Sequence, residues 1–302
     1  MNRLQANLCL LCVTLCWSSE VIIFSCIPDD VSAFATTCIT SLIGSILLFF
    51  GFMKRIISEL KRNRNGYIKA GLVLGILNLI YNLMYLIGLN KLDVSTGAFS
   101  ISMTSVVLPV ILLTMRQHVE TKTIISAFLI LVGIMLAVGT GAESGTSLGF
   151  AIMIAGCIIR AFYIVILNKS AREYDPVVLS ALLSFIVGII GFVSWFVSDS
   201  TTFASIRWTP TIIACLAIYS YFIVSFAQTL NIYAHKKTSA ANATIIYSLE
   251  IVFSIIWGIS MPSDIVTPVT LSTRIAIGVA LIVFGNILVI FERTGRRAVD
   301  AN

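Results

Sequence analysis

Ten apolar stretches, each about as long as a bilayer is thick, occupy almost the whole 302-residue chain. A spanning helix needs about 20 apolar residues, and hydrocarbon offers the backbone no hydrogen-bond partner, so repeated long runs fold as helices, not as a barrel. The expected fold is therefore an all-α membrane protein with ten transmembrane helices. Spans are expected near 4–27, 32–53, 67–89, 94–115, 122–141, 148–168, 176–197, 209–233, 238–261 and 272–291. Nine or eleven spans are the alternatives, because spans 1 and 2, and again 8 and 9, are separated only by Pro28–Asp29–Asp30 and His235–Lys236–Lys237. Composition agrees: 58% of residues are hydrophobic and 11% charged, with a mean hydropathy of +1.00, whereas soluble domains carry roughly 25% charge. The opening run from Arg3 to Ile27 is too long for a signal-peptide core, lacks a small-x-small cleavage site and is interrupted by Glu20, so a retained first helix is expected.

The basic residues between spans fall nearly all on one side. With the N-terminus cytoplasmic, the inner segments hold Arg3, then Lys54, Arg55, Lys61, Arg62, Arg64 and Lys69, then Arg116 and Lys122, Lys169 and Arg172, Lys236 and Lys237, and Arg293, Arg296 and Arg297; only Lys91, Arg207 and Arg274 fall outside. That bias is what the positive-inside rule gives for an even number of spans with both termini in the cytoplasm. The net charge of +6 is thus explained by topology, and no nucleic-acid partner is expected. The stretch 53–69 reads as a solvated loop that fixes orientation, with contact to anionic lipid heads as the weaker reading. All seven cysteines (Cys9, Cys12, Cys16, Cys26, Cys38, Cys157 and Cys215) sit in or beside apolar segments, so no disulfide framework follows. Cys9, Cys12 and Cys16 share one helical face, but no histidine or further cysteine accompanies them at ligand spacing, so they read as packing residues, not a metal site.

Two halves show weak self-similarity at an offset of about 142 residues, the kind of internal repeat common in transporters. Residues 94–111 align with 236–253, small and hydroxylated residues leading and a larger apolar run closing each, and Ala127–Met135 aligns with Gly278–Ile287. Division into 1–145 and 146–302 gives five spans per half. An odd number forces the second unit to enter the membrane from the opposite side, so the repeats are expected to be inverted, with a site near the midplane between them.

Trp17–Ser18–Ser19 in span 1, the blocks Leu108–Pro109–Val110 and Leu249–Glu250–Ile251–Val252–Phe253, and the glycine-containing apolar helix after each block resemble the drug/metabolite transporter superfamily, specifically its EamA-type ten-helix members. The resemblance spans nearly the whole chain on short, degenerate motifs. It implies two inverted five-helix repeats and a transporter, mostly an exporter, of amino acids, amines or other small metabolites. Span 2 lacks the arginine often found there, and Thr114–Met115–Arg116 and Ser260–Met261–Pro262 stand where the family often has Gly-Glu pairs. The resemblance therefore stops short of a subfamily and a substrate.

Ionisable residues deep in a membrane are costly, which makes each a functional candidate. By position there are three: Glu20, Arg160 and Glu250. The latter two lie about 12 residues, or about 18 Å, into their spans, close to the midplane. An internal Glu20–Arg160 ion pair that merely locks the halves is the structural alternative. Two acids against one base nevertheless leave a surplus negative charge to bind a cation or a proton, and desolvation favours reversible protonation of such a carboxylate. For Glu250 the bland alternative is capping or packing against a serine. Polar stripes add candidates: Asn78, Tyr81, Asn82 and Tyr85 recur at i, i+3, i+4, i+7 in span 3, and Tyr221, Ser225 and Gln228 at i, i+4, i+7 in span 8. Tyrosines beside a carboxylate suit an ammonium group through cation–π attraction and charge, although tyrosine packing between helices is an equal reading of any one residue. Trp17, Tyr163, Tyr247 and Trp257 are further candidate liners, while Trp195 and Trp208 read as interfacial anchors. Gly71/Gly75, Gly188/Gly191 and Gly278/Gly285 read as close-packing steps, and Pro109 as a kink.

Enzyme chemistry finds little footing. His118 and His235, the only histidines, read as loop residues, and the glycine-rich Gly139–Gly145 stretch lacks the Lys-Ser/Thr of a phosphate loop. The expectation is a secondary transporter of the cell membrane, exporting or exchanging amines or amino acids, with an ammonium on Glu250 or Glu20 and any carboxylate on Arg160. Uphill movement would draw on an ion gradient, by proton antiport, or on exchange. The expected partners are a cationic or zwitterionic small-molecule substrate, a proton or counter-substrate, and membrane lipid; a homodimer is compatible, and no cofactor is expected. A nucleotide-sugar or lipid-precursor carrier of the same fold would want more than one cavity base, and a non-transporting receptor or scaffold is the alternative of another class.

Overall fold

The chain begins with a reciprocal cap. Asn2 Oδ1 accepts from Gln5 N and Gln5 Oε1 accepts from Asn2 N, both at 2.8 Å, which satisfies two of the first backbone donors of α1, Arg3–Ser18. The computed structural model describes residues 2–25, 27, 31–89, 103–137, 147–198, 206, 208–262 and 270–290, and among them there is no strand. Span 1 is broken: Ser19 N bonds both Leu15 O and Cys16 O, a local tightening, and the chain resumes as α2, Glu20–Ser25.

Spans 2 and 3, expected as separate helices joined by a loop, are one continuous helical run, α3, Ala33–Leu89. Its 57 residues would reach about 85 Å if straight, and non-helical backbone at Phe52 (φ −129°, ψ 24°) and Asn63 (φ −149°, ψ 63°) turns it. The stretch 53–62 is helical because Lys, Arg, Glu and Leu are strong helix formers however charged they are. After it come α4, Thr104–Thr114, α5, Thr121–Ala137, α6, Ser147–Glu173, and α7, Pro176–Ser198. A Schellman motif ends α4: Arg116 takes the left-handed φ of 56°, and Gln117 N reaches Leu112 O at 2.9 Å. The proposed repeat segment 94–102, the turn at Pro28–Asp29–Asp30, the 139–145 stretch, and Cys26, Lys91, Arg207, Arg293, Arg296 and Arg297 lie outside the described residues.

Span 8 comprises α8, Pro210–Tyr219, a π-helical segment over Ser220–Ala227 and α9, Gln228–His235. Span 9 is α10, Ala240–Tyr247, and α11, Leu249–Ser260, parted at Ser248, and the last helix is α12, Thr273–Ile290. Among the described residues six helical stretches are long and apolar enough to cross a membrane, and α4 and α5 are apolar but shorter.

Packing is set by small residues. A Cβ on Gly278 would stand 2.5 Å from Gly133 O, so α5 and α12 touch backbone to backbone. The α7 helix lies along both arms of α3, with Gly71 and Gly75 receiving Leu182 and Ile186, and Gly188 and Gly191 receiving Leu42 and Cys38. Large apolar side chains such as Phe50, Phe128, Phe196 and Phe284 are exposed, whereas Asn7, Asn231, Asn242, Asn286 and His235 are buried. That inversion fits a lipid solvent.

Polar side chains also tie the helices at the end where α1 begins. Arg3 pairs with Glu120, and Arg55 with Asp175. Asn7 Nδ2 donates to Ile290 O, and Thr238 Oγ1 donates to Asn7 Oδ1. His235, expected in a loop, instead ends α9 fully buried. Asn168 Nδ2 donates to its Nδ1 at 3.0 Å, so the ring carries its proton on Nε2, which donates to Tyr247 Oη at 2.9 Å; Tyr247 Oη in turn donates to Asn231 Oδ1. Every member of this relay is satisfied, which is the condition for burying it at all.

Candidate functional site

A cavity of about 350 Å³ lies among α1–α3, α6, α7, the span of α8 and α9, and α11. All three membrane-embedded ionisable residues face it. Glu20 is the first residue of α2 and Glu250 the second of α11, so each carboxylate sits in the first turn of a half-helix that follows a break. A helix N-terminus favours negative charge there. Arg160 reaches the cavity from the middle of α6, with its guanidinium 5.8 Å from the centroid of the Tyr81 ring.

The structural alternative, a Glu20–Arg160 lock, is not made among the described residues. Among the described residues no ion pair within 4.0 Å joins Arg160 to either acid. Glu20 Oε1 instead accepts from Tyr219 Oη at 2.7 Å. Glu250 has neither a hydrogen bond nor an ion pair among the described residues, and no serine caps it. The site therefore presents two carboxylates and one guanidinium whose hydrogen-bonding capacity is largely unspent.

The span-3 stripe faces the cavity as its spacing predicts. Asn78, Tyr81, Asn82 and Tyr85 all line it, and Asn82 Nδ2 donates to Asn78 Oδ1 while Asn78 Nδ2 donates to Tyr81 Oη, both at 3.0 Å. Trp17 and Gln228 line it too. Tyr163 and Tyr247 stand one layer behind. Tyr163, only 4% exposed, accepts from Gln228 Nε2 at 2.9 Å and packs against Tyr81, and Tyr247 packs against Trp17 at 5.1 Å. Trp257 does not line the cavity either; its Nε1 donates to Ser18 Oγ at 3.0 Å. Of the two anchor tryptophans Trp208 is exposed, as expected, but Trp195 is buried.

Tyr221 is a correction. It is 54% exposed and packs edge-on against Phe222, away from the cavity. The cause is the π-helical segment. Seven α-helical residues, at 100° each, bring Tyr221 and Gln228 to one face; at about 4.4 residues per turn they end on roughly opposite faces. Conversely, Tyr219 and Gln228, nine apart and opposed on an α-helix, are brought to the same side, and both line the cavity. The single hydroxyl proton of Ser225 is shared between Ser220 O at 2.8 Å and Gly44 O of α3 at 3.0 Å, which ties the segment to α3 where a side chain on Gly44 would strike Val224.

Sequence reasoning also passed over a hydroxyl wall, Thr36, Thr37, Thr40 and Ser41 of α3 with Ser184 of α7. Thr36, Thr37, Thr40 and Ser41 sit at i, i+1, i+4, i+5, a legible helical stripe.

The sequence pattern of the EamA-like transporter family matches residues 4–139 and again 147–291. A protein of Archaeoglobus fulgidus described as an uncharacterized transporter is 27% identical over 271 residues, which cover 89% of this chain and 82% of that one. A solved crystal structure, at 17% identity, superposes with a TM-score of 0.75 over 94% of this chain and 96% of its own, a likeness of fold. With a family match over nearly its full length, this multi-pass membrane protein belongs to the EamA-like transporter family.

Proposed function

We propose that the chain is a secondary active transporter of the cytoplasmic membrane that exports or exchanges amines or amino acids. The observation that carries this is Glu250: a carboxylate turned into a membrane-embedded cavity with neither a hydrogen bond nor an ion pair among the described residues. A buried ionisable group without a protein partner is costly, and a ligand cation or a proton relieves that cost. The tyrosines and Trp17 beside it supply ring faces for an ammonium group. Among the lining residues Arg160 is the one base, which suits a single carboxylate better than a nucleotide sugar.

The architecture belonging to this reading is ten helices as two inverted repeats, 1–145 and 146–302, with the cavity between them. The end that gathers Arg3, Arg55 and Lys236 faces the cytoplasm, which puts both termini there. Coupling runs through Glu250 or Glu20, either by proton antiport or by substrate exchange.

The test is flux driven by a pH gradient in proteoliposomes, offering pooled amines and amino acids to the wild type and to Glu250→Gln. Movement of an ammonium compound that the variant loses is the expected result. Movement of an anionic or neutral solute indifferent to Glu250 would shift the site to Arg160, and no movement of anything would favour a receptor or scaffold.

A further inference from the structure

The three charges of the cavity are not placed alike, and their arrangement narrows the ligand. The Trp257 Nε1–Ser18 Oγ hydrogen bond sets α1 and α11 at a common level. Glu250 lies seven residues before Trp257 on α11, and Glu20 lies two residues beyond Ser18, past the break that ends α1, so the two acids enter the cavity at different depths. They act on each other electrostatically, and a single ammonium carries too little charge to pair with both. Arg160 interacts electrostatically with both acids, and of the two it is Glu250 that weighs on it most. Glu20 accepts from the Tyr219 hydroxyl at one carboxylate oxygen, and the other has no hydrogen bond among the described residues.

A ligand that gives each of these three groups its own counter-charge carries one carboxylate for the guanidinium and an adjacent cation for Glu250. It also carries a second cation, several bonds away, for Glu20. Leaving any of the three unmatched would strand a charge inside the membrane. We propose that the cavity takes an amino acid with a basic side chain, its carboxylate on Arg160, its α-ammonium on Glu250 and its side-chain cation on Glu20. This rests on the amino-acid reading above and narrows it. The length of such a ligand suits two acids at different depths, and the hydroxyl wall of α3 gives the methylene chain a polar but uncharged flank.

Counterflow in proteoliposomes tests it, with labelled lysine, ornithine, leucine, phenylalanine or cadaverine outside and the same unlabelled solute preloaded inside; cadaverine has both cations of lysine and no carboxylate. Lysine and ornithine should exchange well ahead of leucine, phenylalanine and cadaverine. Glu20→Gln should shift the lysine-to-leucine ratio toward leucine by about ten- to a hundredfold, the loss of one charge-assisted contact. Leucine or phenylalanine moving as readily as lysine in the wild type overturns the inference while leaving the amino-acid reading intact. Cadaverine moving as readily as lysine overturns it by removing the carboxylate from the site. If no amino acid or amine exchanges, both readings fall. The wild-type ratios decide the matter even where the variant fails to fold.

Discussion

Replacing Tyr247 with Phe isolates one hydroxyl. The ring's contact with Trp17 survives, and nothing is added in volume. What is lost is the atom that accepts from His235 Nε2 and donates to Asn231 Oδ1. His235 and Asn231 are 0% and 1% exposed, so neither freed atom gains bulk water. Each buried polar atom left without a partner costs about 1–3 kcal/mol, which puts the substitution at about 2–4 kcal/mol after some relaxation. Equilibrium unfolding in mixed micelles with rising SDS measures the loss directly. Tyr221→Phe is the matched control, since that ring is exposed and its hydroxyl has no partner among the described residues. Adding Asn231→Leu to Tyr247→Phe should recover part of the loss, because removing both partners costs less than removing one. A Tyr247→Phe protein within about 0.5 kcal/mol of the Tyr221→Phe control would refute the reasoning. The relay would then contribute nothing to holding α6, α9 and α10 together.

Two further outcomes follow from the packing. Gly278→Ala should destabilise by about 1–3 kcal/mol through overpacking against Gly133 O and Ala137, whereas Gly51→Ala, with open space around it, should be neutral or slightly stabilising; the same SDS titration compares them. Tyr221→Ala should leave substrate flux in proteoliposomes within about twofold of wild type while Tyr219→Phe, which strips Glu20 of its hydrogen bond, lowers it; equal losses would place Tyr221 in the cavity after all.

What the sequence disclosed depended on how regular the backbone is. Glu20, Arg160 and Glu250 stood out because a charge among apolar residues is costly whatever the fold does around it, and all three reach one cavity. The Asn78–Tyr85 stripe was legible because that arm of α3 keeps α-helical phase. Tyr221 was misplaced because nothing in the letters Ser-Tyr-Phe-Ile-Val-Ser-Phe-Ala announces a wider helix; the wide turn depends on Ser225 reaching Gly44 across to another element. His235 looked like a loop residue because polar letters crowd the turn at 235–239, yet Asn168, far off in sequence, buries it. The helical stretch 53–62 reads as a loop on its charges alone, although those same residues are good helix formers.

The widened turn at 220–227 has a consequence for how this chain can change. Ordinarily a pocket is retuned one side chain at a time. By the same windings, rewinding the segment as ordinary helix with every residue kept would turn its two ends about 160° against each other and carry Tyr219 away from Glu20, whereas losing one residue at the same time takes back about 100° of that turn. An in-frame deletion of one codon would thereby shed the wide turn while leaving the two ends within about 60° of their present facing, a latitude that a uniformly wound helix, turned about 100° by any deletion, does not offer.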